Sequence, residues 1–399
     1  MNLENKKGDI STYKLLQKYT HESKKIAWNG SYPLPGMTAI QIAAAQYCRV
    51  QPELHQQFDL VLSIEEGLDS FGNSWEAQLD ELTRLLRASG TLILKFKQTN
   101  LVNLISVKRF LWRSLILEVK LTDQWIDNQQ DIFMVINVKR KNFDSYKKEK
   151  WTFALITDGQ RNKNVEKFIK SVQIQAAGPH EILIVGPKAK YKGARIIEFA
   201  NGDLPRIAEK KNIIGLEAAN QNICISHDRY KLDRNFVSNW KKFGYDFDFC
   251  TVAQRTQTGE IYPSLVSLPQ KIEQWQSPEY FNDGVYADGN FINGGFFIIK
   301  KHLISDFPMN SLSLHNEAED VEYSWSLRYG GVSTRINAFS RAIVIGNPSL
   351  GGYSRMNSVE PTRKTFAIKF RKLVYVFYRK LPQVVKKSSA IVFLKDLIK

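Results

Sequence analysis

The chain has 399 residues, 43% hydrophobic and 24% charged, with a formal net charge of +16. That length suits two or three domains of an ordinary globular protein. The charge is uneven: residues 362–399 hold eleven Lys or Arg against one acid, a net +10, which leaves only +6 elsewhere; with no zinc-finger, KH or RRM pattern, nucleic acid is not an expected partner.

Cys48, Cys224 and Cys250 are odd in number, widely separated and outside any CxxC pair. They read as buried thiols of a reducing compartment rather than a disulfide frame or zinc site. The amino terminus lacks an apolar signal region, and no stretch reaches the roughly 18 apolar residues of a membrane span. The expectation is a cytoplasmic protein.

In chain order, Pro33, Leu34, Pro35 and Gly36 mark a turn before a small-residue helix at 38–48. FDLVLS (58–63) reads as a buried strand. Trp75, Leu79, Leu82 and Leu86 then recur at helical spacing, Gly90 is expected to cap that helix, and TLILKF (91–96) follows as a strand. A basic amphipathic helix over 101–113 and strands LILEVKL and IFMVINVKR complete this part. The segment over about 50–142, with its LLRASGTLIL turn, resembles the carboxyl-terminal half of a Rossmann-type, S-adenosylmethionine-dependent methyltransferase. That family holds its donor on a glycine-rich turn after the first strand, and nothing upstream of Phe58 has that form. Residues 1–145 are therefore expected to be a degenerate module that does not bind S-adenosylmethionine.

After the charged connector DSYKKEK, the strand WTFALIT ends at Thr157 and Asp158; a helix carries Val165, Phe168, Ile169 and Val172; EILIVGP and ARIIEF are further strands. The stretch 210–233 follows with almost no spacer. An amphipathic helix with Ile213, Leu216 and Glu217 on successive turns precedes the short apolar strand Ile223, Cys224, Ile225, and that strand ends in His227, Asp228 and Arg229. In open α/β sheets ligands bind at the carboxyl edge of the strands, so an acid and a guanidinium here suit a diphosphate, with or without a metal. A surface turn whose Asp pairs with its neighbouring Arg is the plainer alternative.

Five ordered pieces, WTFALITDG, PHEILIVGP, EKKNIIGLEAANQNICISHDR, FINGGFFIIKKHLI and EAEDVEYSWSLRYGG, resemble family 2-like nucleotide-sugar glycosyltransferases of the GT-A fold over residues 151–347. The resemblance implies an α/β, Rossmann-like GT-A domain at 151–350 that moves a sugar, with inversion, from a nucleotide-sugar donor to a glycan or lipid-linked glycan in surface-polysaccharide or lipopolysaccharide assembly. It implies Asp320 as the base. The donor would lie against Thr157, Asp158, Gly186, Lys211, His227, Asp228 and Arg229, and the acceptor against Gly294, Gly295, Glu319 and Trp325. Each position has a bland reading too: Asp320 as a helix-start carboxylate, Gly294 and Gly295 as a bulge, Trp325 and Tyr323 as core, Lys210 and Lys211 as a solvated helix start.

Departures leave the cofactor open. Where the family has Asp-x-Asp, the chain has Ser226, His227, Asp228 and Arg229. Either Asp228 ligates Mn²⁺ or Mg²⁺, or Arg229 pairs with the diphosphate directly. No histidine near residues 345–347 completes a metal site, and Gly186 stands where a base-contacting Asp is frequent. In the tail, Phe366, Phe370, Leu373, Val374 and Phe377 form one face of a basic helix, which suits either an anionic membrane surface or a docked helix. The alternatives to the transferase are a catalytically silent scaffold of a glycan-assembly complex and a bifunctional glycosyl- and methyltransferase.

Overall fold

The computed structural model describes residues 16–21, 23–30, 34–42, 48–175, 178–200, 204–267, 279–280, 286–287, 289–314 and 317–346. The chain divides into the units Met1–Tyr353 and Ser354–Lys399. The second unit, with the expected basic helices of the tail, lies outside the described residues.

The first sheet is built from β1 (Ile26–Asn29), β2 (Thr38–Ile40), β3 (Phe58–Ser63), β4 (Leu86–Phe96), β5 (Leu117–Ile126) and β6 (Ile132–Arg140), in the order β2-β1-β3-β4-β6-β5. The first four strands run parallel and β6 runs antiparallel to both neighbours. Helices α1 (Trp75–Leu85) and α2 (Leu104–Trp112) pack on it through Leu79, Leu82, Val107 and Phe110. Two local expectations fail. Thr38–Ile40 is a strand, because pairing with β1 overrides the helix preference of the small residues that follow; residues 43–47 lie outside the described set. Gly90 caps nothing: α1 passes into β4 at Leu86, and Gly90 sits within the strand where a Cβ would meet the Asp59 carbonyl at 2.8 Å.

The second sheet comprises β7 (Trp151–Ile156), β8 (Glu181–Gly186), β9 (Arg195–Glu198), β10 (Asn222–His227), β11 (Tyr230–Leu232), β12 (Phe249–Thr256), β13 (Ile261–Tyr262), β17 (Phe296–Lys300) and β18 (Thr334–Val344). A small third sheet holds β14 (Leu265–Ser267), β15 (Glu279–Tyr280) and β16 (Asn290–Ile292). The large sheet runs β11-β18-β12-β17-β10-β7-β8-β9, with β13 on β12. Strands β10, β7, β8 and β9 are parallel neighbours, so their carboxyl ends share one edge. Helices α3 (Asn162–Gln173), α4 (Ile207–Glu217), α5 (Phe236–Phe243), α6 (Lys301–Asp306) and α7 (Glu319–Tyr329) complete the set used below. The architecture is mixed α/β, and one buried apolar cluster runs from Val61 and Leu92 of the first sheet to Ile223 and Phe297 of the second.

Buried charge also joins the two sheets. Arg84 of α1 pairs with Asp80 at 2.8 Å, with Asp246 at 2.7 Å and with Asp248. Arg140 reaches Asp246 at 2.8 Å, and Arg335 of β18 reaches Asp80 at 2.9 Å and Glu81 at 2.8 Å. Arg49 joins Glu81 at 3.0 Å, and the Tyr146 hydroxyl donates to Asp248 at 2.6 Å. Each carboxylate is buried, yet the arginines around it hold Glu81, Asp246 and Asp248 below the usual carboxylate range against the desolvation that would raise them. Such a network is costly to break from one side, because a lone buried charge remains.

Candidate active site

The segments leaving β7, β9 and β10 wall a cleft of about 440 Å³. Thr157 and Asp158 come from the first, Phe199 from the second, and His227, Asp228 and Arg229 from the third, while the approach to α4 adds Arg206, Ile207 and Lys210. The carboxyl edge of a parallel sheet is open here because strand pairing ends and the chain turns away.

The amphipathic face expected for α4 is only partly kept: Ile213 is half-buried against the core. Leu216 is 66% exposed, whereas Lys210 is 7% and Lys211 is 0% exposed. Lys210 Nζ donates to the Thr157 carbonyl at 2.9 Å and lies 5.3 Å from the Phe199 ring. Burial lowers its pKa, and the charges of Asp158 and Asp228 oppose that fall. Asp228, buried, accepts from Thr157 Oγ1 at 2.9 Å and pairs with Arg161 Nη1 at 3.0 Å. Four cations, Arg161, Arg206, Lys210 and Arg229, therefore line the cleft with two carboxylates, Asp158 and Asp228. That surplus suits a diphosphate.

Asp228 is engaged at both oxygens, by Thr157 Oγ1 and Arg161 Nη1, and among the described residues no group of three or more His, Cys, Asp or Glu is placed to hold a metal; a divalent ion here would take Asp158 or Asp228 together with phosphate oxygens of the donor. Ile345, whose N–H donates to the Arg229 carbonyl at 2.7 Å, brings no ligand side chain to that turn. Both arrangements left open by the sequence keep their residues at this edge, since Asp228 and Arg229 each line the cleft.

Beyond the strand end lies a second cluster. The His227 N–H donates to the Gly295 carbonyl at 2.9 Å, which fixes the Gly294–Gly295 turn beside the cleft. Gly294 N–H donates to Asp320 Oδ2 at 2.8 Å. A Cβ on Gly294 would lie 2.7 Å from Asp320 Cβ and 3.0 Å from Lys211 Nζ, so only glycine allows this approach. Asp320 stands in the first turn of α7, accepts from Val321 N–H at 3.0 Å, and is pushed up to about 6 by burial and by the neighbouring Glu319 charge; the Gly294 hydrogen bond and Lys211 pull the other way. Lys211 pairs with Glu319 at 3.1 Å. Adjacent lysines of one helix thus serve two clusters, Lys210 the cleft and Lys211 the carboxylates.

The structure brings Thr157, Asp158, Lys211, His227, Asp228, Arg229, Gly294, Gly295, Glu319 and Asp320 into these two adjoining clusters. Gly186 does not line the cleft: it backs Thr157, where a Cβ would meet the Thr157 methyl at 2.7 Å. Trp325 also lies elsewhere. It is five residues past Asp320, about 140° round the helix, donates to the Gly289 carbonyl at 3.3 Å, and borders a separate pocket with Arg109 and Arg328. Tyr323 is core, as its bland reading had it. Arg161, Phe199 and Arg206 were not singled out from the sequence. The arginine two residues past Gly159 was the available signal for the first, since a turn leaving a strand end points its side chains at the same edge.

No protein-family profile and no curated protein matches the chain. Among solved structures it is similar to residues 1–349 of S. aureus TarS, at 11% identity over 61% of this chain and 83% of that one, with a TM-score of 0.36. TarS in complex with UDP-GlcNAc gives 10% identity, 59% and 69% coverage, and a TM-score of 0.38. GalNAc-T7 crystallised with UDP, GalNAc and Mn²⁺ gives 12% identity, 58% of this chain and 51% of that one, and a TM-score of 0.38. Likenesses this remote assign no residue and no substrate.

Proposed function

We propose that the chain is a nucleotide-sugar-dependent glycosyltransferase of the inverting kind. The observation that carries this is one strand edge at which a cation-rich cleft adjoins a carboxylate raised to about 6. In this reading Arg161, Arg206, Lys210 and Arg229 bind the donor diphosphate. Asp320 takes the proton of the acceptor hydroxyl as that oxygen bonds to the anomeric carbon, and the bond from that carbon to the diphosphate oxygen breaks. The departing charge stays on the cations. Asp228 belongs to the same unit: it orients Arg161 and Thr157. By the sequence resemblance the acceptor is a glycan or a lipid-linked glycan of surface-polysaccharide assembly.

The first sheet, in this proposal, is a structural module rather than a methyl donor site. At the end of β1, a Cβ on Gly30 would collide with the Glu65 carboxylate and the Trp28 indole, so side chains crowd that residue where a cofactor would need open backbone. Thermal shift with a panel of nucleoside diphosphates and S-adenosylmethionine tests both assignments. A ligand at about 100 times its Kd adds roughly 2.7 kcal/mol. One diphosphate is expected to raise the Tm, with the shift lost in Arg229→Ala, while S-adenosylmethionine gives none; the reverse pattern contradicts the assignment.

A further inference from the structure

We propose that α2 docks the protein onto an anionic lipid bilayer. The helix is nine residues long, and its start is fixed by a reciprocal cap: Ser106 N–H donates to Asn103 Oδ1 at 2.9 Å and Asn103 N–H to Ser106 Oγ at 3.0 Å. Val107, Phe110 and Leu111 face the core. The opposite face is apolar too: Ile105 and Trp112 are each 78% exposed. Seven residues apart, they point within about 20° of one another and stand about 10 Å apart along the axis. Lys108 falls on one side of that line, Arg109 and Arg113 on the other.

The charge around this ridge selects the occupant. No acid occurs between residues 97 and 117, while Lys108, Arg109 and Arg113 do. Glu76, the acid in the adjoining pocket, is paired with Arg328 at 2.6 Å. An exposed Trp and Ile bracketed by cations match a headgroup layer, where an indole is half wetted, apolar side chains reach the acyl boundary and basic residues are drawn to anionic lipid. Leu101, 46% exposed just before the helix, and Tyr329, 49% exposed at the end of α7, widen the same surface.

The position serves the proposed chemistry. Leu115 N–H donates to the Gly330 carbonyl at 2.8 Å, which ties the end of α7 to the segment after α2. Asp320 stands at the other end of α7, about 15 Å away along the axis. A bilayer held by α2 thus supplies a membrane-anchored acceptor within reach of the base; this last step rests on the transferase reading, whereas the docking does not.

The test uses the full chain and vesicles of phosphatidylcholine with or without phosphatidylglycerol, some with brominated acyl chains, in the absence of sugar nucleotide. Brominated phosphatidylglycerol vesicles are expected to quench a component of tryptophan emission that is missing in Trp112→Phe. Ile105→Asp combined with Trp112→Asp is expected to lower vesicle sedimentation about tenfold at 0.1 M salt. Equal quenching in wild type and Trp112→Phe, or unchanged sedimentation of the double variant, overturns the proposal even if the basic tail binds lipid. So does a dimer abolished by the double variant without vesicle binding, which would show a second copy on this face. Because no donor is present, none of these failures bears on the transferase reading.

Discussion

Asp320 concentrates the chemistry in one group with five identifiable influences. Burial and Glu319 raise its pKa to about 6, while the Gly294 N–H, Lys211 and the Val321 N–H hold it down. A base must be ionised to accept a proton, so turnover is expected to fall on the acid side through about pH 6, and Asp320→Asn to lower it about a hundredfold or more with donor affinity nearly intact. The folded state binds this proton more tightly than the unfolded chain, so at neutral pH the ionised Asp320 costs stability, and the Asn variant is expected to melt no lower than wild type. Lys211→Met removes the cation that opposes the rise. Its acid limb is expected to move to higher pH in a profile of kcat, and an unmoved limb would contradict the assigned role of Lys211. Asp320 is named through the resemblance of the segment EAEDVEYSWSLRYGG; its local pattern alone reads only as a helix-start carboxylate. The lysines were not legible: side by side they read as solvent-facing, and only the fold gives Lys210 the Thr157 carbonyl past β7 and Lys211 the Glu319 carboxylate at the start of α7.

Among elements, runs such as FDLVLS and EILIVGP announced themselves by short apolar cores, Leu60–Leu62 and Ile182–Val185, and β3 and β8 lie where those runs do. Strands β1 and β2 have only four and three residues, too few to show a period, so their parallel pairing was hidden. Helix α1 was legible by its apolar spacing, but not the partners of its charges: Asp80, Glu81 and Arg84 meet Asp246, Asp248 and Arg335 from more than 160 residues away. Nothing local encodes such partners. Arg84→Met leaves three buried carboxylates without that cation, and it is expected to cost roughly 3–5 kcal/mol in urea unfolding. A loss under about 1 kcal/mol, the size of a surface ion pair, would show that the network is not what joins the sheets.

At the scale of the molecule, the two sheets share a core and a charge network within the unit Met1–Tyr353, and among the described residues no helix is long and apolar enough to cross a membrane. The second sheet supplies both proposed subsites, and the first supplies the helix that meets α7. What the sequence could show was the order of the pieces around residues 151–347; what it could not show was the balance of charge in the cleft, because Arg161, Arg206 and Arg229 converge only through three separate strand ends. That balance carries the central claim, a sugar transfer in which guanidinium and ammonium groups stabilise the leaving diphosphate. The direct measurement is release of nucleoside diphosphate from a panel of nucleotide sugars with an acceptor glycan, in EDTA, by wild type and Arg229→Ala. One sugar nucleotide consumed by the wild type in chelator, with loss of about a hundredfold or more in Arg229→Ala, is the predicted result. Turnover that vanishes in EDTA and returns with Mn²⁺ would contradict a diphosphate held by these cations alone, and no turnover of any donor would contradict the transferase itself.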